Sequence, residues 1–280
     1  MKEYQIREPN DDEILKSIAV LYTAFKRTPP KSIVDDEKIW KELIKRKIAK
    51  VQISEDGGEI IGIGGVFLFK KVCSFGYMAV LPEYRGLGIG TAIFKKLFKI
   101  ASNLGYERMF LYASKLGKPI YQKFGFQDRF YATKYHLPKQ FLKFQDKDSN
   151  VKVINKLPKW LILLDEEAMG FGRKKYLQIR IDLGAKILIN ENEGYGLLAN
   201  DRLGPLIAKN EIAALKIVKR SIRLGANHLI IANPEHLPLE YFKLIELEAQ
   251  EEASSLKMVY GKEILENPDL IYAIGTYAKG

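Results

Sequence analysis

A run of alternating glycines between a predicted strand and a predicted helix constrains this chain more than any other feature. Arg85-Gly86-Leu87-Gly88-Ile89-Gly90-Thr91 lies between an apolar strand over 75–81 and an amphipathic helix over 91–103. Glycine lets the backbone turn tightly and approach a ligand without a Cβ clash. A helix that starts here presents unpaired N–H groups and the positive end of its dipole, which suit a phosphate. The pattern favours a phosphate-binding loop, with a plain glycine-rich turn as the alternative.

Two better-known phosphate motifs fit this loop less well. A P-loop would end in Gly-Lys-Ser/Thr, whereas Gly90 is followed directly by Thr91. A dinucleotide fingerprint requires a third glycine where this chain has Thr91, and an acidic residue where it has Tyr112-Ala113-Ser114. A second glycine cluster, Gly62-Ile63-Gly64-Gly65, lies inside a predicted strand and indicates a close-packing or bulge site.

The surrounding pattern predicts an α/β fold built on a mixed, twisted sheet with helices on both faces. Over residues 2–136 the predicted order is strand, two helices, three strands, helix, strand, helix, strand. Polar residues with flanking prolines then indicate an inter-domain connection. We therefore predict a first domain over 1–140, a linker over 141–158 and a second domain over 159–280.

The second half repeats part of the first. Asn103-Leu104-Gly105 and Arg223-Leu224-Gly225 both end a helix that precedes an apolar strand, and Gly76–Val80 lies opposite Gly204–Ala208. The corresponding glycines are eight residues closer together in the second copy, and the deficit falls where the first copy has its glycine loop. This predicts a duplicated α/β fold whose second copy has lost its anion-binding loop.

The charge distribution narrows the class of partner. The chain carries a net charge of +11, and residues 61–140 hold 13 basic residues against Glu83, Glu107 and Asp128. Such a field favours nucleic acid, an anionic membrane or a phosphate-rich small molecule. The chain has no helix-turn-helix, zinc-finger or RNP-type motif, which disfavours nucleic acid. It also has no signal peptide and no apolar run near the ~20 residues of a membrane span, so we expect a cytoplasmic protein without membrane contact.

Cysteine and histidine usage excludes other site classes. A single cysteine, Cys73, rules out an internal disulfide framework and a cysteine-based zinc cage, and fits a reducing compartment. Cys73 precedes a predicted strand, where a buried apolar role is expected. The three histidines, His136, His228 and His236, are too scattered to predict a metal site.

Two segments carry a specific family resemblance. Met78–Thr91 resembles the acyl-CoA-binding motif of the GCN5-related N-acetyltransferases, Arg/Gln-x-x-Gly-x-Gly/Ala, with Arg85, Gly88 and Gly90 at the signature positions. Ser114–Phe126 resembles the second family motif, in which a tyrosine precedes a Gly-Phe pair. The second half resembles the degenerate acetyltransferase-like domain that follows the catalytic one in some microbial members, through Asp165, Phe171-Gly172-Arg173 and Tyr195–Ala208.

The resemblance implies a role for each matching residue. Tyr121 corresponds to the general acid that protonates the departing thiolate, and Ser114 stands where the family often has asparagine. The backbone of the strand end is expected to pair with the pantetheine arm, and the loop to hold the pyrophosphate. The implied cofactor-binding residues are Met78, Ala79, Val80, Arg85, Gly86, Leu87, Gly88, Ile89, Gly90, Thr91 and Ser114.

The predicted function is transfer of an acetyl group from acetyl-CoA to a primary amine of a small molecule or peptide by direct attack. A non-catalytic acyl-CoA-binding sensor and, less favoured, a nucleic-acid-associated basic protein are the alternatives. The general base is not identified, and Glu83, Asp35, Asp36 and Asp128 are candidates by position alone. The second domain is expected to wall off the acceptor pocket or to support a homodimer.

Overall fold

The computed structural model describes residues 4–25, 33–137, 150–232, 248–249 and 254–280. The chain divides into two compact units. Unit 1 comprises Met1–Gln127 together with Val259–Lys262, and unit 2 comprises Asp128–Met258 together with Glu263–Gly280. Both units combine strands with helices, in agreement with the predicted mixed α/β class.

Unit 1 contains a sheet in the order β1-β2-β3-β4-β5, in which only the β4–β5 pair is parallel. Its helices and strands are β1 (Gln5–Arg7), α1 (Ile14–Ala24), α2 (Ile33–Lys45), β2 (Ala49–Asp56), β3 (Glu59–Leu68), β4 (Cys73–Val80), α3 (Ile89–Asn103), β5 (Arg108–Ala113) and α4 (Lys118–Lys123). Up to α4 these elements follow the predicted order, and the last predicted strand corresponds to β6 (Gln127–His136), which lies in unit 2 from Asp128 onward.

The glycines of β3 allow α3 to lie close to the sheet. A Cβ on Gly62 would lie 3.0 Å from Ile93 Cδ1, and one on Gly64 would lie 2.8 Å from Ile93 Cγ2 and 2.9 Å from Leu97 Cδ1. Opposite Gly64 the register of β3 and β4 shifts, because Ile63 pairs with Ala79 but Gly65 pairs with Gly76. The prediction of close packing at these glycines is confirmed, whereas the bulge lies in β4, where Tyr77 and Met78 stand opposite the single residue Gly64.

A dense aromatic cluster forms the core beneath α3. The Phe94 ring lies 4.9 Å from Phe75 and 5.8 Å from Phe126 between ring centroids. Tyr260, from the short downstream stretch of unit 1, lies 5.1 Å from Phe98 and 5.5 Å from Phe126. Aromatic contacts of this kind add stabilisation beyond the buried area. A segment distant in sequence therefore completes the core of unit 1.

Unit 2 contains a sheet in the order β6-β11-β10-β9-β8-β7, in which the β10–β11 pair is parallel. Two further strands pair with this sheet, β12 with β6 and β14 with β10. The elements are β6 (Gln127–His136), β7 (Val151–Ile154), α5 (Lys159–Met169), α6 (Lys174–Asp182), β8 (Lys186–Asn190), β9 (Gly194–Ala199), β10 (Arg202–Ala208), α7 (Glu211–Arg223), β11 (His228–Ala232), β12 (Glu248–Ala249) and β14 (Ile271–Ala273). The strand β13 (Ser255–Gly261) begins in unit 2, and its residues from Val259 onward belong to unit 1.

The predicted linker is only partly covered by the described residues. Residues 141–149 lie outside them, whereas β7 falls within the predicted linker and pairs antiparallel with β8. The helices α5 and α6 follow, over residues to which the sequence analysis assigned no secondary structure.

The two units repeat one arrangement of strands. In each, an antiparallel pair (β3–β4, β9–β10) is followed by a helix and a strand that pairs in parallel with the second member (β4–β5, β10–β11). Residues 81–88 separate β4 from α3, but only Lys209 and Asn210 separate β10 from α7. The predicted duplication is confirmed, and so is the loss of the loop in the second copy.

Candidate functional site

The end of β4 has a strand edge that β5 does not cover. β4 pairs with β5 only from Cys73 to Phe75, opposite Met109–Leu111, although both strands continue beyond these positions. A bulge falls where they diverge, and Tyr77 there has a φ of 57°. Within the described residues, the edge of Met78, Ala79 and Val80 that faces β5 has no strand partner. An extended ligand could pair with this edge as an added strand.

The glycine loop leads from this edge into the start of α3. Gly86 and Gly88 both have a φ of 80°, in the left-handed region that favours glycine. A Cβ on either glycine would have no atom within 4 Å, so the space beside the loop is open. The first i→i−4 bond of α3 runs from the Ala92 N–H to the Gly88 carbonyl. The N–H groups of Ile89, Gly90 and Thr91 therefore have no acceptor within the helix.

Gly90 differs from its two neighbours in conformation and contact. It lies within α3, and its φ is not in the left-handed region. A Cβ there would lie 3.4 Å from Ile120 Cδ1 and 3.7 Å from Val80 Cγ2, which are ordinary van der Waals distances. Leu87, on the same loop, is 54% exposed. The loop thus combines two conformationally required glycines with one that an alanine could replace.

Arg85 holds the loop in place through contacts within the protein. Its Nε donates to the Val80 carbonyl at 3.2 Å, and its Nη2 donates to the Ala24 carbonyl at 2.6 Å. Ala24 is the last residue of α1, where a positive charge is favourable for the helix dipole. The backbone N–H of Arg85 donates to the Pro82 carbonyl at 3.2 Å. Arg85 therefore ties α1 to the end of β4 and fixes the position of the loop.

Ser114 and Tyr121 converge on the backbone of Gly117. A Cβ on Gly117 would lie 3.3 Å from the Tyr121 hydroxyl and 3.4 Å from Ser114 Oγ. Ser114 Oγ accepts the Gly117 N–H at 3.2 Å, which leaves its own proton for another acceptor. Gly117 makes room for both side chains, a role that the sequence analysis did not assign.

Tyr121 is buried on the inner face of α4. It is 6% exposed, and its ring packs edge to face against Phe94 at 4.8 Å between centroids. Burial raises the pKa of its phenol, because the low dielectric disfavours the charged form. The hydroxyl therefore stays protonated through the neutral range and can donate a hydrogen bond or a proton.

The remaining titratable groups do not single out a general base. Glu83 and Asp128 are exposed, and the Asp36 carboxylate accepts a hydrogen bond from the Tyr22 hydroxyl. The side chain of Asp35 lies outside the described residues. Cys73 is buried, and burial strongly raises the pKa of its thiol.

Among the described residues, no group of three His, Cys, Asp or Glu side chains could hold a metal ion. No helix in the part of the chain that the structure describes is long and apolar enough to cross a membrane.

Comparison with known proteins places both halves in one family. Residues 47–128 and residues 161–273 each match a model described as "Acetyltransferase (GNAT) domain". The "Uncharacterized N-acetyltransferase YitH" of Bacillus subtilis (strain 168) is 28% identical over 243 residues, covering 80% of this chain and 82% of that protein.

Solved structures extend the likeness to the whole chain. "A Putative Acetyltransferase" from Pyrococcus horikoshii is 30% identical with a TM-score of 0.91, and the match covers 100% of this chain and 97% of that one. A tandem GNAT protein from the clavulanic acid biosynthesis pathway shares the fold at 13% identity and a TM-score of 0.64, covering 92% of this chain and 98% of that one. With a GNAT domain in each half and a full-length relative of this similarity, the chain belongs to the GNAT acetyltransferases as a tandem member.

Proposed function

We propose that unit 1 transfers an acetyl group from acetyl-CoA to a primary amine of a small molecule or peptide. The observation that carries the proposal is the unpaired edge of β4, which runs directly into an open glycine loop and the free N-terminus of α3. A strand edge and a helix N-terminus in this order suit a ligand with an extended amide arm followed by a pyrophosphate. Family membership supports acyl transfer as the reaction class.

The loop fits the phosphate end of such a ligand. Open space at Gly86 and Gly88 leaves room that any larger residue would reduce, and Leu87 between them is exposed. The N–H groups of Ile89, Gly90 and Thr91 would donate to the phosphate oxygens. Three exposed lysines on α3 add positive charge along the same helix: Lys95, Lys96 and Lys99. Acetyl-CoA would supply the acetyl group as a thioester.

The strand edge would orient the acyl end. Met78, Ala79 and Val80 would pair with the pantetheine amides, and Arg85 would keep this edge and the loop in register through its bonds to Val80 and Ala24. Arg85 is thus a positioning residue in this proposal. The hydroxyl of Ser114 retains a proton with which to bind the same ligand.

Tyr121 would act as the acid. As the amine nitrogen forms its bond to the acyl carbon and the carbon–sulfur bond breaks, the phenol gives its proton to the departing sulfur. The amine attacks in its neutral form, its nitrogen releases one proton to solvent as the amide forms, and the Tyr121 phenolate takes one proton back from solvent. The raised pKa of Tyr121 keeps the proton available before the reaction.

Acetyl-CoA binding measured by isothermal titration, followed by thiol release with a panel of amines, tests the proposal. The panel contains aminoglycosides, polyamines, amino acids and peptide N-termini. Saturable binding and turnover with at least one amine are expected. Absence of binding contradicts the proposal, and binding without turnover across the panel favours the acyl-CoA sensor instead.

Tyr121→Phe tests the acid role, because it removes only the hydroxyl and keeps the ring against Phe94. We expect kcat to fall by ~10²-fold with little change in acetyl-CoA affinity. Tyr131→Phe, which removes a hydroxyl from a side chain that is 55% exposed, is the matched control. Equal kcat values for Tyr121→Phe and the control would remove Tyr121 from the mechanism.

A further inference from the structure

The second unit contains a strand divergence that corresponds to the acyl-CoA edge of unit 1. β10 and β11 pair in parallel only at Arg202–His228 and Leu203–Leu229, after which β10 continues to Ala208. In unit 1 the corresponding divergence of β4 and β5 leaves a strand edge unpaired.

In unit 2, a later segment of the chain occupies this position. β14 pairs antiparallel with β10, with Leu206 opposite Ala273 and Ile207 opposite Ile271. Ile274 then donates its N–H to the Ile230 carbonyl of β11 at 2.8 Å. The segment thus hydrogen-bonds to both diverging strands and fills the gap between them.

The fit of this segment is tight. Ile271, Tyr272, Ala273 and Ile274 are each at most 7% exposed. A Cβ on Gly204 of β10 would lie only 2.3 Å from the Ile274 carbonyl oxygen, so the two backbones approach as closely as glycine permits. An added ligand strand could not share this space.

A buried ion pair anchors the residues that follow β14. Arg173 Nη1 donates to the Gly280 carbonyl at 2.8 Å and to the Lys279 carbonyl at 3.3 Å. The same guanidinium bonds the Asp165 carboxylate, with Nη2 to Oδ1 at 2.8 Å, and Tyr195 donates its hydroxyl to that oxygen. Both members of the pair are almost fully buried and fully partnered, so loss of one would leave the other charge unpaired.

The helix that follows β10 offers no site for a phosphate. Only two residues separate β10 from α7, and the side chain of the second one, Asn210, accepts the Ala213 N–H at 2.9 Å. Glu211 lies in the first turn, and Glu193 accepts a hydrogen bond from Asn210 at 3.1 Å. A protein side chain and two carboxylates therefore stand where the α3 N-terminus has open N–H groups.

We propose that β14 and the residues after it occupy, in unit 2, the strand-edge position that the acyl-CoA arm takes in unit 1. The chain then binds one acyl-CoA, in unit 1, and the second GNAT unit is closed by the chain itself. The ligand class rests on the proposed function, whereas the filled gap rests on the strand pairing of unit 2.

Isothermal titration of the full chain with acetyl-CoA provides the first test. The unaltered chain is expected to bind about one acetyl-CoA per chain. Gly88→Val is expected to bind none at any measured concentration, since a β-branched residue strains a left-handed backbone position. Gly225→Val is the matched control: its φ is 101°, a Cβ there meets no atom within 4 Å, and it lies in unit 2. The control should keep one site. Two sites in the unaltered chain, or one site remaining in Gly88→Val, would overturn the proposal.

Hydrogen exchange of the full chain provides a second test that does not depend on ligand binding. Without ligand, the Ile274 amide is expected to exchange at least ~100-fold more slowly than an unstructured amide, because β11 accepts it in a buried gap. Exchange at the unstructured rate would overturn the filled gap. On addition of acetyl-CoA, protection should rise over residues 76–91 and stay unchanged over 203–213. A rise over 203–213 would likewise overturn the proposal.

Absence of any acetyl-CoA binding would contradict the proposed function alone. In that case, slow exchange at Ile274 would still support closure of the second unit, and fast exchange would refute it. The two proposals therefore fail separately.

Discussion

Alanine at Gly88 and alanine at Gly90 should shift the stability of unit 1 in opposite directions. Gly88 has a φ of 80° with open space around it, so an alanine there adds backbone strain without a clash, at about 1–2 kcal/mol. Gly90 lies in α3 at ordinary contact distances, so alanine there removes the entropic penalty of glycine and gains up to about 1 kcal/mol. The two variants should therefore differ by about 2 kcal/mol although each adds one methyl group two residues apart.

Tryptophan fluorescence can isolate unit 1 for this measurement. The chain has two tryptophans, of which Trp40 is buried in unit 1 and Trp160 lies in unit 2. In a Trp160→Phe background, urea unfolding followed at Trp40 should show a lower midpoint for Gly88→Ala and a higher one for Gly90→Ala. With a typical m-value, 1 kcal/mol corresponds to ~0.5 M urea.

Acetyl-CoA affinity in the same two variants tests the function of the loop. Gly88→Ala should weaken binding at least ~10-fold, because it disturbs the approach to the α3 N-terminus. Gly90→Ala should retain affinity within ~3-fold, since its Cβ points toward Ile120 and Val80. Equal urea midpoints for Gly88→Ala and Gly90→Ala, or a larger loss of stability in Gly90→Ala, would refute the assignment of a required left-handed backbone to Gly88 but not to Gly90.

Three further predictions concern other parts of the chain. Gly261→Ala should destabilise unit 1 by about 3 kcal/mol, because its φ is 80° and a Cβ would lie 2.1 Å from the Glu107 carbonyl oxygen. Gly105→Ala has the same backbone strain but no clash, so it should cost only about 1 kcal/mol. Urea unfolding followed by the fluorescence of Trp40 compares the two variants. Cys73 should not react with a disulfide reagent at pH 8 until the protein is denatured, so native-state labelling would contradict its burial. Burial lowers the pKa of His228 from 6.5 to about 4. As the pH falls, His228 is therefore protonated in the unfolded chain at a higher pH than in the folded protein. Stability should therefore fall, by up to about 1.4 kcal/mol per pH unit, as the pH drops from 6.5 toward 4, and His228→Gln should flatten this slope in urea titrations followed by circular dichroism.

Local chemistry explains why the loop could be found from sequence. Gly86 and Gly88 have left-handed backbones that few other residues adopt, and the strand and helix on either side have clear periodicity. The close packing at the glycines of β3 could likewise be predicted from the sequence, because glycine inside a strand indicates a close approach or a bulge. In these cases a residue type and a local conformation require each other.

The contacts that fix the site depend on residues far apart in sequence. Arg85 was expected beside the pyrophosphate, but its guanidinium bonds the Ala24 carbonyl at the end of α1. No local pattern relates these two positions. The packing of the Tyr121 ring against Phe94 of α3 also joins distant positions, whereas the contacts of Ser114 and Tyr121 with Gly117 are local, three and four residues apart.

By itself, the sequence determined the mixed α/β class, the repeated arrangement of strands and the position of the glycine loop, because periodicity and glycine conformation are local properties. The tertiary structure alone decided which strand edges stay open and which are filled. Tyr260 completes the core of unit 1, and β14 closes the gap beside β10, from positions far along the chain. Pairing across such separations depends on the shape and hydrogen-bonding capacity of the partner edge, which no short stretch of sequence encodes.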